Sequence, residues 1–252
     1  MAPRKSGNFS PARLARRRLL IVQTGTAPTA IRQEFGDFAE WFRRGLGLTP
    51  DQIECVRVDR GKRLPAAESV AAALITGSAA MVTQRLAWSE RTAEWVVHAA
   101  ATGLPVLGVC YGHQLLAHAF GGRVGNNPKG REIGSVTINV LPSAKDDALF
   151  GSRPACFSAQ ATHLQTVVEL PRDAVVLAES DLDACQIVRY AKHVWGVQFH
   201  PEFGGAQMRA YLRARAEVVA AEGLNVPALL NTVRASPEPR TVLRDFARLA
   251  CR

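Results

Sequence analysis

The sequence has no Cys-x-x-Cys pair, few aromatic residues (7%) and no apolar run of membrane-spanning length. Its five cysteines are odd in number, which disfavours a disulfide framework and a structural zinc site and favours a reducing compartment. The longest apolar runs fall well short of the roughly 18 residues that a membrane span needs. The run at residues 19–22 is too short for the apolar region of a signal peptide. These absences predict a soluble cytoplasmic protein that has neither a metal site nor a membrane segment.

Acidic residues are scarce at the amino end of the chain. The 31 Lys and Arg residues exceed the 22 Asp and Glu residues by nine. Residues 1–18 contain six of the basic residues and no acidic residue, so the rest of the chain carries a surplus of only +3. We interpret residues 1–16 as a basic flexible arm. A basic arm on a near-neutral body is usually a solvated tail, so nucleic-acid binding is the less favoured alternative.

Apolar runs with strand-like spacing alternate with runs of helical spacing. Strands are predicted at residues 19–23, 53–58, 73–76, 106–109, 133–140, 175–178, 185–190 and 194–199. Helices are predicted at residues 31–46, 90–101 and 115–120, followed by two closing helices, one carrying Met208, Tyr211, Leu212 and Val219 and the other Val242, Phe246, Leu249 and Ala250. This order predicts one three-layer α/β/α domain over residues 17–252, with a mostly parallel, mixed central sheet and residues 203–252 as a helical cap.

An apolar strand runs directly into a helix through Gly108-Val-Cys110-Tyr111-Gly112. This Gly-x-Cys-x-Gly pattern is typical of a nucleophile elbow in which cysteine replaces serine. Glycines are needed because the sharp turn leaves no room for Cβ atoms on either side of the nucleophile. The start of the helix favours a thiolate at Cys110, and the N–H of Tyr111 is placed to donate to an oxyanion. The alternative is a small buried cysteine at a tight turn.

A candidate base lies near the end of the predicted sheet, in Trp195-Gly-Val-Gln-Phe-His200-Pro201-Glu202. Pro201 biases His200 towards an extended backbone, in which residues i and i+2 point to the same side. Glu202 can therefore orient the imidazole of His200, which is what a cysteine nucleophile requires of its base. By itself, this segment also fits a surface turn after a strand. Together with the elbow, it predicts a Cys-His-Glu triad.

These two motifs resemble the signatures of the class I glutamine amidotransferases, and most closely those of GMP-synthase-type glutaminase domains. The resemblance extends from Leu19 to Glu202 in order and spacing. A third segment, Leu-Ile-Thr76-Gly77-Ser78, lies where that family has its oxyanion loop. The resemblance implies a flavodoxin-like fold with the site at the carboxyl ends of the strands.

The resemblance also implies roles for six residues. Cys110 would attack the γ-carboxamide carbon of glutamine and form a γ-glutamyl thioester. His200 would transfer the proton to the leaving ammonia and then activate water, while Glu202 orients His200. No metal or organic cofactor would be needed. The remaining three residues would contact the oxyanion or the substrate: Gly77 and Tyr111 through their N–H groups, and Gln114 as a glutamine contact.

Two segments depart from the GMP-synthase pattern. This chain has Thr76-Gly77-Ser78-Ala79 where that pattern has Gly-Gly-Pro, and Ala161-Thr162-His163-Leu164 where it has Ser-His-Gly-Asp. The Thr-Gly-Ser loop resembles that of γ-glutamyl peptide hydrolases, and no ATP pyrophosphatase loop follows Glu202. For proton transfer we favour His200 over His163.

We therefore expect a stand-alone hydrolase of glutamine, with a synthetase as a candidate partner. Two alternatives stay open. One is a γ-glutamyl peptide hydrolase that uses the same triad, and the other is a non-catalytic regulatory subunit of a synthetase.

Overall fold

The computed structural model describes residues 17–250, in which strands are first interspersed with helices, then seven strands follow without an α-helix between them, and four helices come last. The predicted basic arm at residues 1–16 lies outside the described residues. The strands are β1 (Leu19–Gln23), β2 (Ile53–Arg57), β3 (Ala72–Ile75), β4 (Val106–Val109), β5 (Arg123–Asn126), β6 (Glu132–Val140), β7 (Cys156–His163), β8 (Gln165–Glu169), β9 (Val175–Glu179), β10 (Ile187–Ala191) and β11 (Val194–Val197). The helices are α1 (Thr29–Phe35), α2 (Phe38–Leu46), α3 (Ala87–Ala101), α4 (Tyr111–Ala119), α5 (Gly205–Ala214), α6 (Ala216–Ala221), α7 (Val226–Thr232) and α8 (Glu238–Ala250). None of these helices is both long and apolar enough to cross a lipid bilayer.

Nine strands form the central sheet in the order β2-β1-β3-β4-β11-β10-β9-β6-β7, and β5 pairs with β8 in a separate ribbon. The first five strands are mutually parallel. Beyond β11 each pairing is antiparallel, so that only β10 and β6 run against the other seven strands. This mixed, mostly parallel sheet confirms the predicted fold class. Because β1, β3, β4 and β11 are adjacent and parallel, the segments that follow them meet at one edge of the sheet.

Side chains of the parallel strands alternate between two hydrophobic cores, as the period of two requires. In β1, Leu19 and Ile21 pack in the core that contains α2, α5 and α8. Leu20 and Val22 pack in the opposite core, which contains α3 and α4. Helices therefore cover both faces, and the helices of residues 205–250 lie on the same face as α2.

Two predicted helices are each broken into two. The predicted helix at residues 31–46 ends at Phe35, and α2 starts at Phe38 because Asp37 caps it. The Asp37 carboxylate accepts hydrogen bonds from the N–H groups of Phe38 and Ala27, both at 2.9 Å. The first predicted closing helix is broken at Arg215, where φ is −114° and ψ is 14°.

Strands β5, β7 and β8 and helix α7 were not predicted from the sequence. Strand β7 was missed because it buries polar side chains, among them Gln160. The Gln160 amide donates to the carbonyl of Arg234 and to the Ser236 hydroxyl, both at 2.9 Å. These partners lie more than 70 residues away in the chain, so local spacing carries no sign of them.

Candidate active site

Cys110 occupies the turn between β4 and α4 in a conformation that side chains rarely adopt, with φ of 50° and ψ of −100°. Its N–H donates to the carbonyl of Val197 in β11 at 2.8 Å, which ties the turn to the neighbouring strand. The residue is only 7% exposed. A strained backbone held by its surroundings at the end of a strand is what a nucleophile elbow looks like.

The turn is possible because Gly108 and Gly112 have no side chains. A Cβ at Gly108 would lie 2.5 Å from the carbonyl carbon and oxygen of Gly112. A Cβ at Gly112 would lie 2.5 Å from the carbonyl oxygen of Ile75 in β3. These are contacts with backbone atoms, which cannot rotate away, so the strand and helix must separate if either Cβ is added.

We expect Gly108→Ala to lower the free energy of unfolding by about 1–3 kcal/mol through overpacking. The matched control is Gly125→Ala in β5, where the nearest atom to an added Cβ is Val168 Cγ1 at 3.5 Å. Chemical denaturation of both variants measures the difference. Equal stability of the two variants would show that the elbow does not depend on this close approach.

His200 and Glu202 follow β11 at the same edge of the sheet. His200 Nδ1 lies 2.7 Å from Glu202 Oε1, and both residues are almost fully buried. A carboxylate only accepts hydrogen bonds, so Nδ1 carries the proton and Nε2 is left for the site. The His200 N–H donates to the carbonyl of Gln160 at 2.7 Å, and Phe203 stacks on the imidazole with ring centroids 4.3 Å apart. The ring is therefore fixed on several sides.

The charges around His200 favour its protonated form. Burial by itself lowers the pKa of His200, but the negative charges of Glu202 and Cys110 and the hydrogen bond with Glu202 outweigh it and raise the pKa to about 10. Nε2 is buried and has no hydrogen-bond partner among the described residues. An imidazolium beside Cys110 stabilises negative charge on Sγ, which is the reactive form of a cysteine.

The loop after β3 meets both of these residues. A Cβ added to Gly77 would lie 3.1 Å from His200 Cε1 and 3.8 Å from Cys110 Cβ. Within residues 17–250, the N–H groups of Gly77 and Tyr111 donate to no protein acceptor. The structure thus brings together Cys110, His200, Glu202, Gly77 and Tyr111, with two free N–H groups beside the nucleophile.

Thr24, which was not predicted as a site residue, holds this loop in place. Its hydroxyl lies 3.0 Å from the carbonyl oxygen of Thr76 and 2.9 Å from that of Gly77. In a trans peptide the C=O and N–H point in opposite directions, so a Thr76 carbonyl held against Thr24 turns the Gly77 N–H away from Thr24. The only sign in the sequence is the position of Thr24 directly after β1, at the carboxyl edge of the sheet.

We expect Thr24→Val, which keeps the shape and removes the hydroxyl, to lower kcat about 10-fold, less than the loss of a whole oxyanion donor. Its effect on KM should be smaller, because the loop acts on the transition state. Thr137→Val on β6 is the control, since Thr137 is exposed and its hydroxyl has no hydrogen bond in the described part of the chain. Steady-state kinetics of both variants with glutamine provide the test, and an unchanged kcat for Thr24→Val would contradict this role.

Gln114 lies on α4 and lines the same cavity as Cys110. Its side-chain amide donates to the carbonyl of Gln165 at 2.7 Å and to Gln198 Oε1 at 3.0 Å. Both N–H donors are therefore engaged within the protein. A contact between Gln114 and a substrate stays a prediction, and it would have to be made through the side-chain carbonyl.

His163 also lines the cavity, but its ring is held by other groups. Nε2 lies 2.9 Å from Glu132 Oε2, and Nδ1 lies 3.0 Å from the carbonyl oxygen of Gln165. Glu132 in turn accepts from the hydroxyl of Ser180 at 2.7 Å. Both nitrogens of His163 thus have partners, whereas His200 Nε2 has none among the described residues, and the choice of His200 for proton transfer stays a prediction.

The cavity beside Cys110 has a volume of about 300 Å³, at the lower end of small-molecule sites. Its walls come from the loops after β1, β3 and β4, from residues 162–165 and from the C-terminal helices. Among residues 17–250 there is no group of three or more His, Cys, Asp or Glu side chains that could hold a metal ion. Arg131, Tyr211 and Arg215 also line the cavity, and none of the three was predicted as a site residue from the sequence.

Comparison with known proteins agrees with the fold and with the motifs. Residues 36–217 match the model of the family described as glutamine amidotransferase class-I, and the chain belongs to this family. A glutamine amidotransferase from Thermotoga maritima has a similar fold, with a TM-score of 0.71 at 21% identity over 94% of this chain and 98% of that one.

Two curated relatives are similar over shorter segments. Gamma-glutamyl peptidase 5 from Arabidopsis thaliana is 38% identical over 100 residues, which are 39% of this chain and 40% of the relative. One of the subunits of the glutamine-hydrolyzing GMP synthase from Methanocaldococcus jannaschii is 38% identical over 100 residues, 39% of this chain and 51% of the relative. The matched segments thus span about half or less of these relatives.

Proposed function

We propose that this protein is a cysteine hydrolase that cleaves the γ-carboxamide of glutamine to glutamate and ammonia. The observation that carries the proposal is the convergence of Cys110, the His200–Glu202 pair at 2.7 Å and two free N–H groups at one edge of the sheet. A nucleophile, an oriented base and oxyanion donors are the parts that acyl transfer requires.

The reaction starts when Cys110 Sγ, as a thiolate, attacks the γ-carboxamide carbon. The carbonyl oxygen becomes an oxyanion, which the N–H groups of Gly77 and Tyr111 stabilise. The imidazolium of His200 gives its Nε2 proton to the nitrogen, the C–N bond breaks, and ammonia leaves a γ-glutamyl thioester. Neutral His200 then takes a proton from water, whose oxygen attacks the thioester. Glutamate leaves, and the thiolate and imidazolium are restored.

Glu202 acts through His200 in both halves of this cycle. It holds the Nδ1–H tautomer, which leaves Nε2 free to exchange the proton, and its negative charge stabilises the imidazolium. Cys55 and Cys156 are exposed free thiols, which are more typical of a reducing compartment, so we place the protein in the cytoplasm.

A γ-glutamyl peptide is the second candidate substrate. The Arabidopsis relative carries the name of a γ-glutamyl peptidase, and the chemistry at the γ-carbon is the same for both substrates. The relative from Methanocaldococcus carries the name of a synthetase subunit, which supports a synthetase as a candidate partner that would receive the ammonia.

The test is a side-by-side assay of the purified chain with glutamine and with γ-glutamylglycine. Equal release of glutamate and ammonia from glutamine is the expected result. Release of glycine without ammonia production would move the assignment to γ-glutamyl peptides. If a well-folded protein hydrolyses neither substrate, the result would favour a regulatory role in a synthetase and contradict the proposal.

A further inference from the structure

The cavity beside Cys110 continues towards the C-terminal helices, where its lining changes in charge. Arg131, from the segment before β6, and Arg215, from the break between α5 and α6, both line it. Among the described residues that line the cavity, none is an aspartate or a glutamate. The cavity is therefore biased towards a ligand that carries negative charge.

Arg131 already has a partner within the protein. Its guanidinium makes a two-pronged ion pair with Glu222, with Nε 2.6 Å from Oε2 and Nη2 2.8 Å from Oε1. The Arg131 side chain is only 8% exposed, so this pair fastens the segment after α6 to the sheet. This pair neutralises the charge of Arg131 and uses two of its five N–H donors, so Arg131 brings no unpaired charge to a ligand.

Arg215 has no ion pair and no side-chain hydrogen bond within residues 17–250, although it is half-buried. The hydrogen bond from Arg131 and the charges of both arginines lower the pKa of Glu222, against the effect of burial. Glu222 thus lies near two guanidinium groups. Its single negative charge is paired with Arg131, so the positive charge of Arg215 is not neutralised. A half-buried cation without a partner is costly, and a bound anion would remove that cost.

Tyr211 lies one helical turn before Arg215 and lines the same cavity. The Arg215 N–H donates to the carbonyl of Tyr211 at 3.0 Å, so the two residues are joined through the backbone, and both line the cavity. Tyr211 is 6% exposed, and within the described part of the chain its hydroxyl has no hydrogen-bond partner. Burial raises the pKa of Tyr211 well above its usual value, so the hydroxyl keeps its proton and can donate it to an anion.

We propose that Arg215 and the Tyr211 hydroxyl bind a carboxylate of the γ-glutamyl substrate, an inference that rests on the proposed hydrolase function. Two carboxylates carry this chemistry. One is the α-carboxylate of the γ-glutamyl group, which glutamine and γ-glutamyl peptides share. The other belongs to the departing part of a γ-glutamyl peptide and is absent from glutamine. Arg215 would in either case determine specificity and take no part in bond breaking.

The test measures binding without turnover, by calorimetry on the Cys110→Ala protein with and without Arg215→Gln. The ligands are glutamine, γ-glutamylglycine and γ-glutamylglycinamide, of which only the second has a carboxylate in the departing part. We expect Arg215→Gln to weaken binding about 10- to 100-fold, as for a lost charged hydrogen bond. An equal loss for all three ligands assigns the α-carboxylate, whereas a loss confined to γ-glutamylglycine assigns the departing carboxylate.

The matched control is Arg213→Gln, two residues earlier on α5, where the arginine is exposed and does not line the cavity. Arg215→Lys, which keeps the charge, should recover part of the affinity, and thermal unfolding shows whether each variant is folded. Equal affinities of Arg215→Gln and Arg213→Gln for all three ligands would overturn the subsite, as would the absence of binding to the Cys110→Ala protein. If binding depends on Arg215 but the chain with Cys110 intact hydrolyses none of the ligands, the subsite stands and the proposed function is wrong.

Discussion

Replacing Cys110 by alanine is expected to lower kcat for glutamine hydrolysis by at least about 10⁴-fold, because the covalent pathway through the thioester is lost. Substrate binding should change little, since Sγ is used in bond formation and the cavity walls stay in place. The measurement is the rate of glutamate release at saturating glutamine, compared with KM or a binding constant for the variant.

Cys156→Ala is the control for this experiment. Cys156 is also a free thiol, but it is exposed at the start of β7 and lies outside the cavity. It should keep the full rate. A Cys110→Ala protein that retains a substantial part of the rate would mean that water attacks glutamine directly or that another nucleophile is used.

Glu202→Gln is expected to have the second largest effect, a fall in kcat/KM of about 10²- to 10⁴-fold. An amide at this position no longer holds the Nδ1–H tautomer by charge, and it no longer stabilises the imidazolium. Without the charge of Glu202, less remains to offset the effect of burial on His200. The pKa of His200 should therefore fall below the value of about 10 that it has beside Glu202 and Cys110. The alkaline limb of the pH profile of kcat/KM should therefore move to lower pH.

The same pairing links stability to pH. The pKa of His200 is raised in the folded protein, so its contribution is fully present below the unfolded value of about 6.5 and is lost as the pH rises towards about 10.

The control for the pH profile of kcat/KM is Glu169→Gln, which removes an exposed carboxylate that pairs with Arg123 on the surface. If the alkaline limb of kcat/KM lies at the same pH in the wild type and in Glu202→Gln, Glu202 does not set the protonation of His200.

The residues at the elbow and after β11 could be predicted from the sequence because their signals are local. Gly108, Cys110 and Gly112 fall within five residues, and the need for each follows from the turn itself. His200 and Glu202 are two apart, so an extended backbone places both side chains on one side without any tertiary contact. The pairing of β4 with β11 then brings the two segments together.

Thr24 and Arg215 could not be found in this way. Thr24 acts on carbonyls more than 50 residues away, and nothing around it in the sequence differs from an ordinary turn after a strand. Arg215 is one of many arginines in the C-terminal helices, and its place in the cavity depends on how these helices pack against the sheet, which local spacing does not show. Helical spacing alone predicted an unbroken helix through this position.

The proposed reaction passes through a γ-glutamyl thioester on Cys110, and this intermediate can be trapped. The chain is mixed with glutamine, quenched in acid within the first turnovers, and its peptides are mapped by mass spectrometry. We expect a γ-glutamyl group on the peptide that contains Cys110 and none in the Cys110→Ala protein. Hydrolysis of glutamine with the modification on a different residue, or with no covalent intermediate under any quench time, would contradict it.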